Sequence, residues 1–272
     1  MNKVLLLVAS AFALASCAEE SQDLIHQGAV APPAVHWGYE GPEAPEHWAD
    51  LSEEFALCRD GTEQSPIDLS GSVPLTDTGL ERRLNEAVLT GKQRAHVMDI
   101  VDNGHTIQVT NDVPMTVELG NTIYELVQFH FHAPSEHTIN GRHSPLEIHF
   151  VHKSAADELA VLGVLVEEGE QSAILEPIMS ALPAGPGEQR RLDDLDLDMN
   201  ELRPLPRRYY RYRGSLTTPP CSENVEWIVF ADKREISTEQ MTEIVSHLHN
   251  NNRPIQSLGA RQLGFISGDA SR

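Results

Sequence analysis

Two histidines in one short segment, His130 and His132, are the side chains of this sequence best placed to do chemistry. Successive side chains of a β-strand alternate between its two faces, so both imidazoles point one way while Phe129 and Phe131 point the other way into a core. If the residues that follow form a hairpin, His149 joins the pair from the adjacent strand. Three imidazoles on rigid strands, with no cysteine nearby in the sequence, suit a zinc ion that keeps one coordination position open.

The same histidines have a simpler interpretation. The chain contains 13 histidines, and most of them need no special role. A pair spaced by one residue is a weak signal on its own. Glu147 strengthens it, because it lies two residues before His149 and therefore on the same face of a strand. The pattern indicates a metal site without naming a reaction.

The elements that would position these residues are mostly strands. Six short segments are rich in β-branched or aromatic residues and are separated by turn residues such as Asn103-Gly104 and Asn140-Gly141. This pattern predicts strands. They cover residues 106–110, 115–119, 128–132, 146–152, 159–166 and 225–230.

Helical signals are fewer. Residues 80–89 and 172–182 are candidate helices. Ser237 followed three residues later by Gln240 predicts a capping box, which would open a helix that ends near His249.

Length and composition limit the fold and the partners. The 272 residues suit one large domain, and no linker divides the body, so we expect one β-dominated domain over residues 35–268. Residues 185–206 are polar and flanked by proline, which predicts a loop with short turns. Lys and Arg number 20 against 41 Asp and Glu, a formal net charge of −21. This charge argues against nucleic acid as a partner and against electrostatic docking on anionic lipid.

The first 17 residues are typical of a secretory signal. Lys3 precedes an apolar run over residues 4–14, which is too short to span a bilayer as a helix. The end of this segment, with the sequence LASC up to Cys17, also resembles a bacterial lipobox, in which the cysteine becomes the lipidated first residue. Cleavage by an ordinary signal peptidase near Ala18 or beyond is the alternative.

The segment after the signal is a predicted tether. Residues 18–34 are acidic, rich in alanine and carry Pro32-Pro33, which favours a flexible connection over a folded element. We therefore expect an exported protein, in the bacterial periplasm or at the cell surface. Its membrane contact would be limited to a lipid on Cys17.

The three cysteines are consistent with export. If Cys17 is lipidated or removed, Cys58 and Cys221 remain as a pair, 163 residues apart. A disulfide closing so long a loop would stabilise the fold by roughly 5 kcal/mol at most. Two buried free thiols are the alternative, but an oxidising compartment favours the disulfide.

Eight motifs in order along the chain resemble the α-class carbonic anhydrases of bacterial type. They are residues 36–39 (HWGY), 64–68 (QSPID), 103–105 (NGH), 128–132 (QFHFH), 135–138 (SEHT), 147–149 (EIH), 214–220 (GSLTTPP) and 251–254 (NNRP). The resemblance covers nearly the whole mature domain. It implies a mainly β fold on a large, mostly antiparallel twisted sheet with a few short peripheral helices, and a metal at the bottom of a conical cleft.

The resemblance also implies a ligand set. The three histidines named above would hold one Zn²⁺ per chain. Each ligand needs a partner for its second ring nitrogen, which fixes the tautomer and the ring orientation. The implied partners are Gln128, Glu147 and the main-chain carbonyl of Asn251. Gln128 and Glu147 also lie two residues before a ligand, in phase with it on a strand.

The implied reaction is the reversible hydration of CO2 to bicarbonate and a proton. Zinc lowers the pKa of its bound water to about 7, a value known from carbonic anhydrase itself, and the hydroxide attacks CO2. Thr217 would accept a hydrogen bond from that hydroxide and pass its own proton to a buried Glu136. His105, with an ordinary histidine pKa of about 6.5, would carry protons to buffer. Without the resemblance, Thr217 reads as turn chemistry before Pro219-Pro220, and His105 as a surface histidine at a turn.

The resemblance assigns two sides to the cleft. Tyr39 and Gln108 would line a polar side that orders water. An apolar side would hold CO2, although most of its residues would also suit any strand core. The residues assigned to it are Val151, Val161, Leu216, Thr218, Val225 and Trp227.

Three further points follow from the resemblance. Cys58 and Cys221 match the disulfide of exported members, and the bridge would anchor the loop that carries Thr217. Ala133-Pro134 departs from the animal pattern, which has a tryptophan there, and we expect a modest effect on packing near the metal. Family analogy suggests a homodimer.

Two other functions would use the same fold. One is a non-catalytic binding module, although such relatives typically lose a metal ligand and this chain keeps all three. The other is a zinc hydrolase whose physiological substrate is an ester.

Overall fold

Strands dominate the structure, which is a computed structural model. It describes residues 35–74, 88–90, 94–112, 115–204 and 208–267. The predicted signal segment, the tether and Cys17 lie outside these residues and stay predictions. The described helices include none with the length and apolar character needed to cross a membrane.

The strands are numbered in chain order over the described residues. They are β1 (Val73–Pro74), β2 (Val88–Thr90), β3 (Arg94–Ala95), β4 (Met98–Asp102), β5 (Ile107–Asn111), β6 (Thr116–Leu119), β7 (Thr122–His132), β8 (Thr138–Ile139), β9 (Arg142–His143), β10 (Leu146–Ser154), β11 (Leu159–Glu168), β12 (Gln189–Leu192), β13 (Leu197–Asp198), β14 (Arg208–Ser215), β15 (Glu223–Ile236) and β16 (Gly264–Ser267). The α-helices are α1 (Trp48–Leu51), α2 (Leu57–Asp60), α3 (Glu176–Met179) and α4 (Thr238–Ser246), and 3₁₀ turns cover Gly41–Glu43, Pro45–His47, Glu53–Phe55 and Met199–Leu202.

One large sheet forms the centre of the fold. Among the described strands, ten lie side by side in the order β1-β16-β14-β15-β11-β10-β7-β5-β4-β12, and β6 and β2 extend it beside β7. Most neighbours run antiparallel, whereas β1 with β16 and β11 with β15 run parallel. The prediction of a mainly β fold on a mostly antiparallel sheet is confirmed.

Two apolar clusters pack against the sheet. The larger one contains Phe129, Phe131 and Phe150, all fully buried. The smaller one is built around Trp227 and Val161. Burying one such side chain contributes about 1.5–3 kcal/mol, so the phenylalanines fix which face of β7 points to the larger core.

All six predicted strands are present, with longer or slightly shifted bounds. The segment 128–132 is the end of the eleven-residue strand β7, and 225–230 is the centre of the fourteen-residue strand β15. The extensions escaped prediction because they carry exposed charged residues such as Glu125 and Glu235 on one face. Exposed polar side chains do not interrupt a sheet whose other face is buried.

The capping box is also confirmed. Gln240 N donates to Ser237 Oγ, and Ser237 N donates to Gln240 Oε1, both at 3.2 Å. The helix α4 ends at Ser246, earlier than predicted, and His249 and Asn250 then adopt positive φ angles of 49° and 56°. A left-handed backbone cannot continue a helix, which explains the shorter element.

Two other predictions were wrong in part. The candidate helix 80–89 fails at its end, because Val88–Thr90 is a strand that pairs with β6, and residues 80–87 lie outside the described residues. In the candidate helix 172–182, α3 is a single turn over Glu176–Met179, with proline near its start.

The predicted loop 185–206 was also wrong in part. It contains β12, β13 and a 3₁₀ turn. β12 pairs with β4 at the edge of the sheet, and its arginine side chains are exposed. The charge pattern of a solvent-facing edge strand resembles that of a loop, which explains the error.

Candidate metal centre

The three predicted ligands meet where β7 and β10 pair. These strands run antiparallel with His149 directly opposite His130 and with Glu147 opposite His132. The centroids of the rings lie 4.5–5.4 Å apart. One ring nitrogen from each histidine lies within 4.8 Å of the other two. The expectation that the third histidine would come from a neighbouring strand is confirmed.

The opposite face of the two strands fixes this register. Phe150 lies across from Phe129, and their rings stack with centroids 5.3 Å apart. A shift of the pairing by one residue would turn the phenylalanines to the cleft and the histidines to the core. The buried aromatic residues therefore hold the imidazoles in place.

Each ligand has the hydrogen-bond partner that was predicted. The bonds run from His130 Nδ1 to Gln128 Oε1 (2.8 Å), from His149 Nε2 to Glu147 Oε1 (2.9 Å) and from His132 Nδ1 to Asn251 O (2.7 Å). Because each ring uses one nitrogen in this way, the other nitrogen is left for a metal. The nitrogens that remain are Nε2 of His130, Nε2 of His132 and Nδ1 of His149.

The site fits zinc on two observations. His132 Nε2 is buried and has no hydrogen-bond partner among the described residues. Such a buried group costs about 1–3 kcal/mol unless something binds it. Burial also lowers the pKa of His132 to about 4 and lowers those of His130 and His149. The imidazoles are therefore neutral near pH 7, as metal ligands must be.

Glu136 lies beside two of the predicted ligands, His132 and His149. Its side chain is fully buried, Oε1 accepts a hydrogen bond from Arg253 N at 2.9 Å, and Oε2 lies 3.6 Å from His132 Nε2. Burial raises the pKa of Glu136 to about 6, against the opposing effects of His149, Arg253 N–H and the Thr217 hydroxyl. The Thr217 hydroxyl is thus near enough to affect this carboxylate as a hydrogen-bond donor, although Oε2 has no hydrogen-bond partner within the described part of the chain.

Comparison with known proteins decides the family. The family described as eukaryotic-type carbonic anhydrase matches residues 43–265. This chain belongs to the α-class carbonic anhydrase family. A carbonic anhydrase of Pectobacterium carotovorum is 40% identical over 239 residues, which is 86% of this chain and 92% of that protein.

Solved structures agree in fold. The α-carbonic anhydrase from Thermovibrio ammonificans, in complex with the inhibitor sulfanilamide, is 41% identical with a TM-score of 0.71, over 85% of this chain and 99% of that one. A hyperthermostable carbonic anhydrase from an active hydrothermal vent chimney is 40% identical with a TM-score of 0.77, over 85% and 100%. The protein is an enzyme of the carbonic anhydrase class, which hydrates CO2.

A second hydrogen-bonded network in this carbonic anhydrase was missed from sequence. His137 donates its main-chain N–H to Glu147 Oε2 and its Nδ1–H to Glu147 Oε1, both at 2.8 Å. Its Nε2 lies 2.7 Å from the hydroxyl of Tyr212, which lies 2.9 Å from Ser65 Oγ. Burial opposes the ionisation of Glu147, but its interactions with His137 and His149, which donate hydrogen bonds to the carboxylate, outweigh burial and lower the pKa of Glu147 well below its usual value.

That network reaches the segment that carries Thr217. Ser65 N donates to Ser215 Oγ at 2.9 Å, and Ser215 N donates to Ser65 Oγ at 3.1 Å. The sequence contained a partial signal, because His137 and Ser65 both fall in motifs that resemble the family. Neither their partners nor their roles followed from spacing.

His105 lies in the connection between β4 and β5. It lines a cavity of about 340 Å³ together with Tyr39 and His36. Its ring stacks on Trp37, with centroids 3.8 Å apart and planes 5° from parallel. Burial lowers the pKa of His105, and the charge of His36 lowers it further while Asp102 opposes them. The stacking partner was not predicted from sequence.

The two residues predicted to line a polar side, Gln108 and Tyr39, lie in different parts of the structure. Gln108 lies on β5 directly opposite His130 in the pairing with β7. Tyr39 packs edge-on against Trp37 with centroids 5.8 Å apart. Burial raises the pKa of Tyr39 well above its usual value, and the negative charge of Glu136 adds to the effect.

The predicted apolar side is brought together in the smaller cluster. Its members include Val151, Val161, Leu216, Val225 and Trp227. Trp227 meets the predicted ligand His149 edge-on, with centroids 4.9 Å apart. Thr218 lies outside this cluster and accepts a main-chain hydrogen bond from Cys221 N at 2.9 Å.

The predicted disulfide is present between Cys58 and Cys221. Cys221 comes four residues after Thr217, so the bridge lies close along the chain to that hydroxyl. At the position where a tryptophan is usual, Ala133 is buried and its N–H donates to Asn251 Oδ1 at 3.0 Å.

Proposed function

We propose that this carbonic anhydrase hydrates CO2 reversibly with one zinc ion held by His130, His132 and His149. The observation that carries the proposal is the buried Nε2 of His132, which lacks a partner among the described residues and faces two other neutral imidazoles. Zinc, when bound, supplies a Lewis acid that makes water a nucleophile near neutral pH. The chain's own residues then orient the reactants and remove the proton.

The hydrogen-bond acceptor beside each histidine sets how strongly that ring donates to a metal. Gln128 and the carbonyl of Asn251 are neutral acceptors, whereas Glu147 is a carboxylate that bonds His149 at 2.9 Å. A charged acceptor raises the basicity of the imidazole it bonds more than a neutral one does. His149 is therefore the most strongly donating of the three ligands.

Thr217 and Glu136 orient the nucleophile. The buried Glu136 carboxylate accepts a hydrogen bond from Arg253 N and can also accept one from the Thr217 hydroxyl. The Thr217 oxygen is then left as an acceptor, so it would accept a hydrogen bond from the oxygen that attacks CO2 and hold that oxygen in one direction. Such orientation, rather than a stronger nucleophile, is the contribution of this pair.

His105 carries the released proton toward buffer. Its pKa lies below the ordinary value because of burial and the charge of His36, so the ring is neutral and able to accept a proton near pH 7. Its position in the open cavity gives buffer access to the ring. Facile proton exchange at this pH is the property that suits a histidine to the task.

The smaller apolar cluster provides the side on which CO2 rests. Val161, Val225 and Trp227 are almost fully buried and carry no charge, and the cluster borders His149. CO2 has no net charge and no hydrogen-bond donor, so a surface of this kind accepts it without loss of hydrogen bonds. Bicarbonate is charged and leaves such a surface more readily than it stays.

We further infer export to an oxidising compartment such as the bacterial periplasm. The Cys58–Cys221 disulfide supports this, because such bonds persist in secreted proteins and are rare in the cytosol of most organisms. The signal over residues 1–17, a lipid on Cys17 and a homodimer remain predictions from sequence.

Zinc titration tests the proposal. Protein stripped with a chelator should regain CO2 hydration in proportion to added zinc, and the activity should level off at one zinc per chain. Stopped-flow kinetics measure the hydration activity, and metal analysis of the same samples measures the zinc bound per chain. Full zinc loading without hydration activity would refute the proposed reaction.

A further inference from the structure

Residues 251–253, which we name the hub segment, hold three parts of the site at once. Asn251 O accepts from the ligand His132, and Asn251 Nδ2 donates to the carbonyl of His105 at 2.9 Å. Arg253 N donates to Glu136 Oε1 at 2.9 Å. A displacement of the hub segment would therefore move together a proposed metal ligand (His132), the proposed hydrogen-bond acceptor of Thr217 (Glu136) and the backbone of the proposed shuttle (His105).

The guanidinium of Arg253 anchors the hub segment. The residue is 1% exposed. Its Nη1 donates to Gln64 Oε1 at 2.9 Å and to Ser65 O at 2.8 Å, and its Nη2 donates to Cys58 O at 2.8 Å. The cation also lies 5.6 Å from the ring centroid of Trp48. Within the described residues no carboxylate forms an ion pair with this guanidinium, and the acceptors of its hydrogen bonds are carbonyl and amide oxygens.

Gln64 extends the anchor to the other half of the disulfide. Its Oε1 accepts from Arg253, and its Nε2 donates to Cys221 O at 3.1 Å. The carbonyls of both half-cystines are thus bound by one hydrogen-bonded pair of side chains. Thr217 lies four residues before Cys221, so the bridge is connected to Thr217 along the chain and to Glu136 through Arg253.

We propose that Arg253, with Gln64, is a positioning residue that transmits the fixed position of the Cys58–Cys221 bridge to the hub segment. Its consequence for CO2 hydration rests on the function proposed above, whereas its effect on the hub segment does not. The forked guanidinium suits the task, since it donates to three acceptors in fixed directions. A lysine keeps the charge but presents one flexible ammonium group.

A four-protein cycle tests the proposal. The proteins are the wild type, Arg253→Lys, the disulfide-free Cys58→Ser/Cys221→Ser variant and the combination of both. The rate of zinc loss to a chelator is the main measurement, because the hub segment holds His132. Arg253→Lys and the disulfide-free variant should each speed zinc loss on the order of tenfold, the effect typical of lost support behind a ligand.

The combined variant shows whether the bridge and Arg253 act together or independently. If the bridge acts through Arg253, the combination should lose zinc within about twofold of the faster single variant, since coupled changes are not additive. Rates that multiply, to about a hundredfold, would mean two independent effects and would overturn the proposal.

A matched control separates positioning from general loss of stability. Arg203 is also 1% exposed and lies over the ring of Phe150, 5.9 Å from its centroid. Arg203→Lys should lower the thermal unfolding midpoint and leave the zinc-loss rate unchanged. An equal acceleration by Arg203→Lys would show that any buried arginine has this effect, and it would overturn the specific role of Arg253.

Two further measurements keep the outcome decisive. If Arg253→Lys does not fold, Gln64→Met takes its place in the cycle, because it removes the bonds to both Arg253 and Cys221. Amide hydrogen exchange of the peptide that contains the hub segment can be measured for the same four proteins in the absence of metal. An exchange rate that neither Arg253→Lys nor the disulfide-free variant changes would overturn the proposal. A wild type that holds zinc without hydrating CO2 would refute the proposed function alone, since the zinc-loss cycle could still be completed.

Discussion

Two clusters of polar side chains share His149, and they differ in whether their hydrogen-bonding atoms have partners within the cluster. The first consists of His130, His132 and His149, and the second of His137, Glu147 and His149; in each, the possible ligand atoms lie within 4.8 Å of one another. In the second cluster, Glu147 accepts from both rings and from the His137 main chain. In the first, the Nε2 of His132 has no partner among the described residues.

The difference shows that proximity of suitable atoms does not define a metal site. The second cluster satisfies its own hydrogen-bonding groups, and its carboxylate is held ionised by the two imidazoles beside it. The first cluster uses one nitrogen of each ring to bond an outer partner, and Nε2 of His132 has no partner among the residues that the structure describes. Glu147 contributes to both clusters. It is a member of the second, and its bond to Nε2 of His149 directs Nδ1 of that ring toward the first.

The largest effect should come from removing a ligand of the first cluster. His132→Ala should reduce zinc affinity more than about a hundredfold, beyond the range for changes in outer partners, and abolish hydration. Zinc analysis after dialysis measures the first effect and stopped-flow hydration the second. Retention of one zinc per chain would indicate that the second cluster holds the metal.

Thr217→Ala should separate metal binding from orientation. The variant should keep one zinc per chain and lose about a hundredfold in kcat/KM for CO2, because the attacking oxygen is no longer held in one direction. Thr217→Ser is the matched control and should keep most of the activity. Loss of zinc from Thr217→Ala would contradict the separation of the two roles.

His105→Ala should slow proton removal. We expect kcat in weak buffer to fall by about tenfold, less than the ~10²–10⁴ of a positioned acid or base since buffer also accepts protons. The value of kcat/KM should stay close to that of the wild type. Added imidazole should restore part of kcat, and the absence of rescue would remove His105 from this role.

His137→Phe should disrupt the hydrogen bonds of the second cluster without loss of zinc from the first. The change removes one of the two hydrogen bonds of the Tyr212 hydroxyl and the bond that the His137 ring donates to Glu147. These losses should cost about 1–3 kcal/mol of unfolding free energy. Zinc content should remain one per chain. Chemical denaturation and metal analysis report the two quantities, and zinc loss as severe as in His132→Ala would make the clusters a single unit.

The smallest effect concerns the pH dependence of the shuttle. The charge of His36 lowers the pKa of His105, so His36→Gln should raise that pKa and move the lower midpoint of the kcat profile to higher pH. His96→Gln is the control, since that exposed ring bonds Leu195 O instead. A midpoint that stays in place, or moves down, would show that His36 does not act on the shuttle.

The sequence predicts the first cluster well because strand periodicity controls it. His130, His132 and Gln128 share one face of β7 at spacings of two residues, and Glu147 and His149 do the same on β10. The register between the two strands was not derivable, because residues 133–145 separate them and the buried phenylalanines, not the spacing, fix it. Thr217 and Glu136 came from family resemblance alone.

The supporting contacts were beyond sequence reasoning. Arg253 bonds Gln64 and Cys58 across 189 and 195 residues of chain. No local pattern distinguishes such an arginine from a solvated one. The second cluster was not predictable for a related reason, because the contact of His137 with Tyr212 spans 75 residues of chain.

Diffraction data collected at the zinc absorption edge from crystals of the purified protein test the central distinction most directly. We expect one anomalous peak per chain, bound by Nε2 of His130, Nε2 of His132 and Nδ1 of His149, and no peak between His137 and Glu147. A peak in the second cluster, or no peak in zinc-loaded protein, would contradict the assignment.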